Sequence, residues 1–346
     1  MTEIFLDVDD GGFRTTVQDL GRPGFQRNGV AEGGAVDPVA VWEGAALLGQ
    51  PPELAALEMV GLGGRYRAFG GAVRVALTGA PFAAERGGGR AAPWRGSFVL
   101  EDGEVLTIGG ALTGGYGYLH VGGGVDVAPV LRSLSTHLRA GFGGFGGRAL
   151  RKGDRLIVGV DDGQPGELEL SDLPNDPPNR IRVLWGVQAE EFSAAERERF
   201  LASTFEVTPQ RDRMGVRLAH DGEPFVTERS LTLISDAVVL GDVQVPGDGR
   251  AVVLLADRQP TGGYPRIATV ISADLAAFAQ LPPGAAFHFV AVDHATAVSA
   301  LRVHQARLDT LTERVRPRLP QGADLERRLS TTNLVDGVTT GGLTGP

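Results

Sequence analysis

The sequence predicts a mainly β protein, two β-barrel or sandwich modules carrying a few short helices. Three observations predict it. Glycine supplies 51 of the 346 residues, roughly double its usual share, which implies many tight turns. Apolar runs are short and are separated by glycine-rich turns in both halves of the chain, the spacing of barrels or sandwiches rather than of parallel βαβ units. Helical periodicity is confined to four short segments.

In the first half, strands are expected near 4–8, 73–77, 98–100, 105–108, 118–121 and 156–160. In the second they are expected near 181–185, 225–227, 238–240, 252–256, 267–271 and 287–292. Asp37-Pro38 opens a helix to Leu48, with proline at its first position. Ser193 and Glu196 form a capping box for a helix to about Ala202. A short helix spans Ala273–Leu281. The longest covers 294–315, with Val298, Leu301, Leu308, Leu311 and Val315 on one stripe. Leu173 to Arg180 holds three prolines and no apolar pattern, so it reads as the linker. The expected division is a β domain at 1–175, a second at 180–293, the helix at 294–315 and a polar, mobile tail at 316–346. Gln26 to Val30 and Asp212 to Val216 echo each other faintly, thin evidence of duplication.

Net charge is −9, and no basic tract stands out, which argues against nucleic acid or anionic membranes as partners. No apolar run approaches the ~20 residues of a membrane span. The start carries no basic-then-apolar leader. Cysteine is absent. This removes thiol catalysis and fits a cytoplasmic protein. Lys152 is the sole lysine; between Arg151 and Gly153 it makes no phosphate-binding Gly-Lys-Ser/Thr loop. The six histidines lack metal-motif spacing, so no metal site is expected. His120, in an apolar strand, reads as a hydrogen-bonded structural histidine. Asp7 to Gly12 resembles a calcium loop, but Gln18 stands at its twelfth position, and a surface turn is the better reading. Gly141 to Gly147 contains Gly-x-Gly-x-x-Gly, yet a turn into a strand follows it rather than a helix. A flexible loop touching a ligand or partner is expected there, not a dinucleotide site.

The most informative stretch is 253–275. Two apolar runs flank a loop that packs Asp257, Arg258, Gln259, Thr261, Gly262, Gly263, Tyr264 and Arg266 at one strand end. Glycines let backbone N–H groups approach a ligand closely. Residue types alone leave open a plain two-strand turn. Two further clusters, Gln18, Asp19 and Arg22 beside a Gly-Pro turn and Arg211, Asp212 and Arg213 before a glycine, suit carboxylate or phosphate recognition. A planar guanidinium binds such groups bidentately.

Taken in order, Thr16 to Gly24, Gly33 to Pro38, Leu57-Glu58, Ala76 to Ala80, Leu131 to Thr136, Leu138 to Gly144, Asp212 to Gly215, Gln244 to Pro246 and Leu255 to Pro265 resemble the allophanate-hydrolase subunit 2, or biotin-dependent carboxyltransferase-like, family. The resemblance covers about residues 4–292. It implies two cyclophilin-like β-barrel domains. It implies the C subunit of an ATP-dependent 5-oxoprolinase-type complex that opens the lactam of 5-oxoproline to glutamate, with a B-subunit homologue and an A subunit as partners. Two alternatives come with it: the carboxyltransferase part of a urea or amide carboxylase, and a regulatory antagonist of a kinase inhibitor. No covalently bound cofactor is implied, since Lys152 lacks the methionine neighbours of a biotin site. ATP with Mg would belong to the complex, and carboxybiotin would come from another chain. The implied catalytic residues are Arg258, Arg213, Gln259 and Tyr264. The implied substrate contacts are Asp257, Thr261, Gly262, Gly263, Arg266, Gln18, Arg22, Ser133 and Ser135. Arg258→Ala and Arg213→Ala are expected to cost activity and to leave melting unchanged.

Overall fold

Short strands and left-handed glycine turns build the chain into sheets that close on themselves or on each other. A computed structural model describes residues 3–163, 166–171, 178–227 and 234–318. In the N-terminal half two antiparallel sheets share one core. One runs Arg155–Ile157, Phe5–Asp10, Arg65–Phe69, Val105–Ala111, Phe82–Arg86 and Arg90–Ala91. The other runs Thr16–Gln18, Ala56–Val60, Tyr116–Val121, Val73–Gly79, Gly96–Leu100, Leu168–Leu170 and Val315–Pro317. Their inward side chains, Leu6, Tyr66 and Leu106 from one sheet with Leu57, Val75 and Phe98 from the other, form that core. The C-terminal half is a closed barrel of Arg180–Trp185, Arg266–Val270, Asp242–Gln244, Val252–Leu254, Gly215–His220, Phe205–Asp212 and Ala286–Ala291. The mainly β reading is therefore what the chain adopts. Val36, Ala40, Tyr116 and Tyr118 of the first half belong to the same apolar core as the barrel's Ile181 and Phe205, so hydrophobic burial also holds the junction together.

Several expectations shift. The predicted strands at 225–227 and 238–240 are not strands. Phe225 is buried, but its N–H makes a single long-range bond to the Gly249 carbonyl, and the Val238 carbonyl accepts from the Gln26 side chain. An apolar run without a ladder partner is not a strand. Conversely, Phe205–Asp212 and Gly215–His220 form a hairpin whose charged residues hide the alternation: Val216, Leu218 and His220 face inward, and Arg217 lies between them. Asp7 and Asp9 of the expected surface turn lie on the first strand, held by Arg155 and Arg67. The two echoing segments differ, Gln26–Asn28 being a 3₁₀ turn and Asp212 to Gly215 the hairpin bend. The linker falls largely on 172–177, and most of the tail on 319–346, outside the described residues.

The helices are α1 (Pro38–Leu48), α2 (Ala194–Ala202), α3 (Ser272–Ala279) and α4 (His294–Asp309). Asp37 caps α1 by accepting from Ala40 N, and Ser193 caps α2 by accepting from Glu196 N. The expected reciprocal contact of Glu196 is absent, because its carboxylate takes Arg199 instead. The 294–315 helix ends six residues early. Leu308 and Leu311 are buried, which tightens 311–314 into a 3₁₀ turn and returns Val315–Pro317 to pair with Leu168–Leu170. Leu301, expected on the apolar stripe, is 43% exposed. No helix among the described residues is long and apolar enough to cross a membrane.

His120 is the structural residue its setting suggested. The Thr78 hydroxyl lies 2.8 Å from both the Ala40 carbonyl and His120 Nε2. With its one proton given to the carbonyl, the hydroxyl must accept from the ring. A Cβ at Gly44 of α1 would collide with the imidazole, so the helix packs over it only as glycine. Burial pushes the imidazole from 6.5 down to about 3. A base whose folded pKa is depressed leaves the unfolded chain binding the proton first. The associated stability is complete above 6.5 and is lost as pH falls toward about 3. His120 should therefore contribute a loss of stability between about pH 7 and about pH 5, while Glu43, raised to about 7, acts in the opposite sense, so the His120 share is read in urea unfolding as the difference in slope between the parent and His120→Gln. An equal slope in both proteins would contradict this.

Candidate functional site

At the junction between the halves, Arg213 leaves the hairpin bend and enters the N-terminal half. It is 7% exposed. Its Nε and Nη2 donate to both oxygens of Asp257, at 2.8 and 2.9 Å. Nη1 donates to Glu58 Oε1, and Nη2 also reaches the Gly34 carbonyl at 2.6 Å and Gln18 Oε1 at 3.4 Å. Burial opposes this charge, but the Glu58 and Asp257 carboxylates outweigh it and hold the guanidinium well above its ordinary value. The chain continues through Glu58 Oε2, which accepts from Val36 N at 2.8 Å and from the Tyr118 hydroxyl at 2.7 Å. That hydroxyl accepts from Asp37 N at 2.8 Å. Residues from six separate segments thus share one buried polar network, for which every partner is needed.

Arg22 lies beside this network, 1% exposed. Its Nη2 donates to the Ser135 carbonyl, and its plane lies 5.0 Å from the Phe142 ring centroid. Its Nε and Nη1 are buried with no hydrogen-bond partner. Burial pushes the guanidinium below its ordinary value, and Asp19 and Asp257 partly restore it. Two glycines make the berth. A Cβ on Gly33, at φ +61°, would stand 2.9 Å from Arg22 Nη1, and one on Gly143, at φ +72°, would run into the Ser135 carbonyl. The loop at 141–147 is therefore a cover over Arg22. Asp19 fixes the floor. Its Oδ1 accepts from Ser133 Oγ at 2.7 Å and from Ser135 Oγ, and its Oδ2 accepts from Leu134 N at 2.6 Å. His137 packs at a tilt against Phe142, with ring centroids 5.3 Å apart. Burial lowers its pKa, with Asp257 pulling the other way.

The structure thus brings Gln18, Arg22, Ser133, Ser135, Arg213 and Asp257 to one place, though they lie on distant segments. Arg258 points to the adjoining side, where its Nη2 reaches Glu32 at 3.1 Å and its Nη1 is buried without a partner. Gln259 donates to Gln244 at 3.2 Å. Thr261 and Gly262 form a two-residue strand with Asp236–Ala237, and Tyr264 is 47% exposed. Gly263 follows that strand. Arg266 is consumed within the fold: Nε meets Gln188 at 2.8 Å, Nη1 the Ala237 carbonyl, and Nη2 Asp236 at 2.6 Å. It acts as a pin under the loop, which corrects its reading as a cation left for a ligand. The burial of Arg213 between two carboxylates likewise removes the expectation that Arg213→Ala leaves melting unchanged. Sequence reasoning passed over Glu58, Tyr118 and His137 as site residues. A lone glutamate inside the otherwise apolar run Ala56–Val60 was the available signal.

The cluster can hold an anion or a developing oxyanion with unfilled guanidinium N–H groups in a water-poor setting, where such donors are most effective. The sequence matches relatives along the length that carries it. The C subunit of 5-oxoprolinase from Escherichia coli (strain K12) is 38% identical over 312 residues, covering 90% of this chain and 98% of that protein. The C subunit of 5-oxoprolinase from Haemophilus influenzae is 35% identical over 307 residues, covering 88% and 97%. The crystal structure of the K. lactis urea amidolyase superposes with a TM-score of 0.81 at 24% identity, covering 94% of this chain and 22% of that one, which shows the fold. The carboxyltransferase domain, subdomains A and B, matches residues 28–291, and the chain belongs to that family.

Proposed function

We propose that this chain is the C subunit of an ATP-dependent 5-oxoprolinase-type complex, and that its junction cluster supplies part of a site shared with the A and B subunits. The observation that carries the reading is Arg22, a buried guanidinium with two unpartnered N–H groups beside the Arg213–Asp257 pair. The near full-length likeness to two 5-oxoprolinase C subunits supports it. Opening a lactam adds water to the ring carbonyl carbon, breaks the C–N bond and delivers a proton to the departing nitrogen. Negative charge gathers on the carbonyl oxygen on the way, and oriented N–H donors stabilise it by ~3–4 kcal/mol each in comparable sites. Arg22 and Arg258 have the free donors for that role. Arg213, its donors already engaged, orients Asp257 and Gln18.

When bound to the complex, ATP would activate the amide oxygen by phosphorylation. Among the described residues no group of three or more His, Asp or Glu side chains is arranged to hold a metal, and the sequence has no phosphate-binding lysine loop. ATP and Mg are thus assigned to the complex. The expected result is that the chain co-purifies with a co-expressed B-subunit homologue. With the A subunit added, ATP hydrolysis should depend on 5-oxoproline and yield glutamate. Carboxylation of urea instead, with a biotin carrier chain, would replace this reading. Full ATP-dependent lactam opening by the isolated chain would refute the shared site.

A further inference from the structure

A second cleft opens between the halves, away from the arginine cluster. It encloses about 490 Å³, within the range of sites for small molecules. One wall comes from the N-terminal half, with Glu43 of α1, Pro81, Trp94 and Arg95; the other comes from α3 and α4. Its polar groups divide sharply into those already satisfied and those not. Gln280 is fully used: its Oε1 accepts from Gly115 N and Tyr116 N, at 3.2 and 3.1 Å, and its Nε2 donates to Asp37 Oδ2 and the Tyr116 carbonyl, both at 2.8 Å. Asp37 is used as well, its other oxygen capping α1. Glu43, 2% exposed, faces Arg95 at 3.5 Å. Arg307 of α4 lines the cleft, and its side chain has no hydrogen-bond or ion-pair partner among the described residues. His304, one turn earlier on α4, lines it too.

The acceptors of Gln280 and Asp37 are therefore occupied, Glu43 is turned to Arg95, and the open cation of the cleft is Arg307. A ligand must bring acceptors and negative charge. Trp94, Pro81, Leu308 and the α3 alanines at 273, 276 and 277 supply a mostly apolar remainder, which favours an organic body over an inorganic ion. Glu43 beside the cation disfavours a dianion, because like charges at close range repel. We infer that this cleft binds a small organic monocarboxylate through Arg307, at a site separate from the junction cluster. The planar guanidinium pairs with a carboxylate fork to fork.

The carboxyl of Glu43 supports the assignment through its pH behaviour. Burial raises it to about 7, with Arg95 and Arg307 lowering it and Asp37 raising it. Asp37 is itself raised by burial, and burial and Arg307 keep His304 below its ordinary value. Below about 7 Glu43 is neutral and an anion meets less repulsion, so affinity should rise as pH falls through that value.

The test is calorimetric titration of the full chain with benzoate and with its neutral near-isostere benzamide, at millimolar concentration. Benzoate should bind, at least roughly tenfold more tightly than benzamide, and more tightly at about pH 6 than at about pH 8. Arg307→Gln should weaken benzoate roughly tenfold to a hundredfold, the scale of one charge-assisted hydrogen bond. Ala277→Phe, at an exposed position that fills the cleft without touching a charge, should do the same. Arg258→Ala should leave benzoate affinity unchanged, which separates this site from the proposed catalytic one. No benzoate binding, equal affinity for benzamide, binding that survives both Arg307→Gln and Ala277→Phe, or binding lost with Arg258→Ala would each overturn the inference.

Discussion

Arg213→Met should be among the most destabilising single substitutions in this chain. It leaves Glu58, 0% exposed, and Asp257, 7% exposed, as buried carboxylates without their shared cation. Breaking such a pair from one side costs about 3–5 kcal/mol, most of it the desolvation of the charge left behind. Because the cost lies in the residue left behind, it should be partly reversible. Arg213→Met combined with Glu58→Gln and Asp257→Asn should be more stable than Arg213→Met alone. Denaturant unfolding of the three proteins decides it. If Arg213→Met unfolds within about 0.5 kcal/mol of the parent, the network contributes little and another account of the junction is needed.

Arg258→Ala should separate activity from stability. The side chain is 3% exposed, yet among its strong contacts only Glu32 is charged, and one N–H is unfilled. Loss of one such donor removes about 1.5–3 kcal/mol from a charge-assisted interaction, or roughly tenfold to a hundredfold in rate. In the assembled complex, turnover of 5-oxoproline should fall by that factor, while the unfolding midpoint moves far less than in Arg213→Met. Arg258→Lys should recover little, because an ammonium does not reproduce the planar fork. Unfolding of Arg258→Ala with unchanged turnover in the remaining folded fraction would make the 257–265 loop structural.

Much of the fold was legible locally. The caps at Asp37 and Ser193, the apolar runs that became Val73–Gly79, Tyr116–Val121 and Ala286–Ala291, and the glycine-rich turns are short-range features. A capping oxygen or a left-handed turn is decided within a few residues. Phe205–Asp212 and Gly215–His220 were harder to see because charge on the solvent face masks alternation when no partner strand is known. The end of α4 was misjudged for a related reason. Periodicity carries past Asp309, but burial of Leu311 and pairing with Leu168–Leu170 stop the helix.

The site divides in the same way. By itself the sequence determined the chemistry on offer: arginines beside glycines and carboxylates, no thiol, no phosphate loop, and the residue types at Gln18, Arg22, Arg213, Asp257 and Arg258. Only the tertiary structure decided which of these charges neutralise one another. It spent Arg213 and Arg266 on internal partners, drew Glu58 and Tyr118 into the network, and left Arg22, Arg258 and Arg307 with donors to offer. The reason is physical. A residue's type fixes its capacity for hydrogen bonds, but burial and distance fix how much of that capacity is filled. Contacts such as Arg213 with Glu58, 155 positions apart in the chain, exist only once both halves have packed.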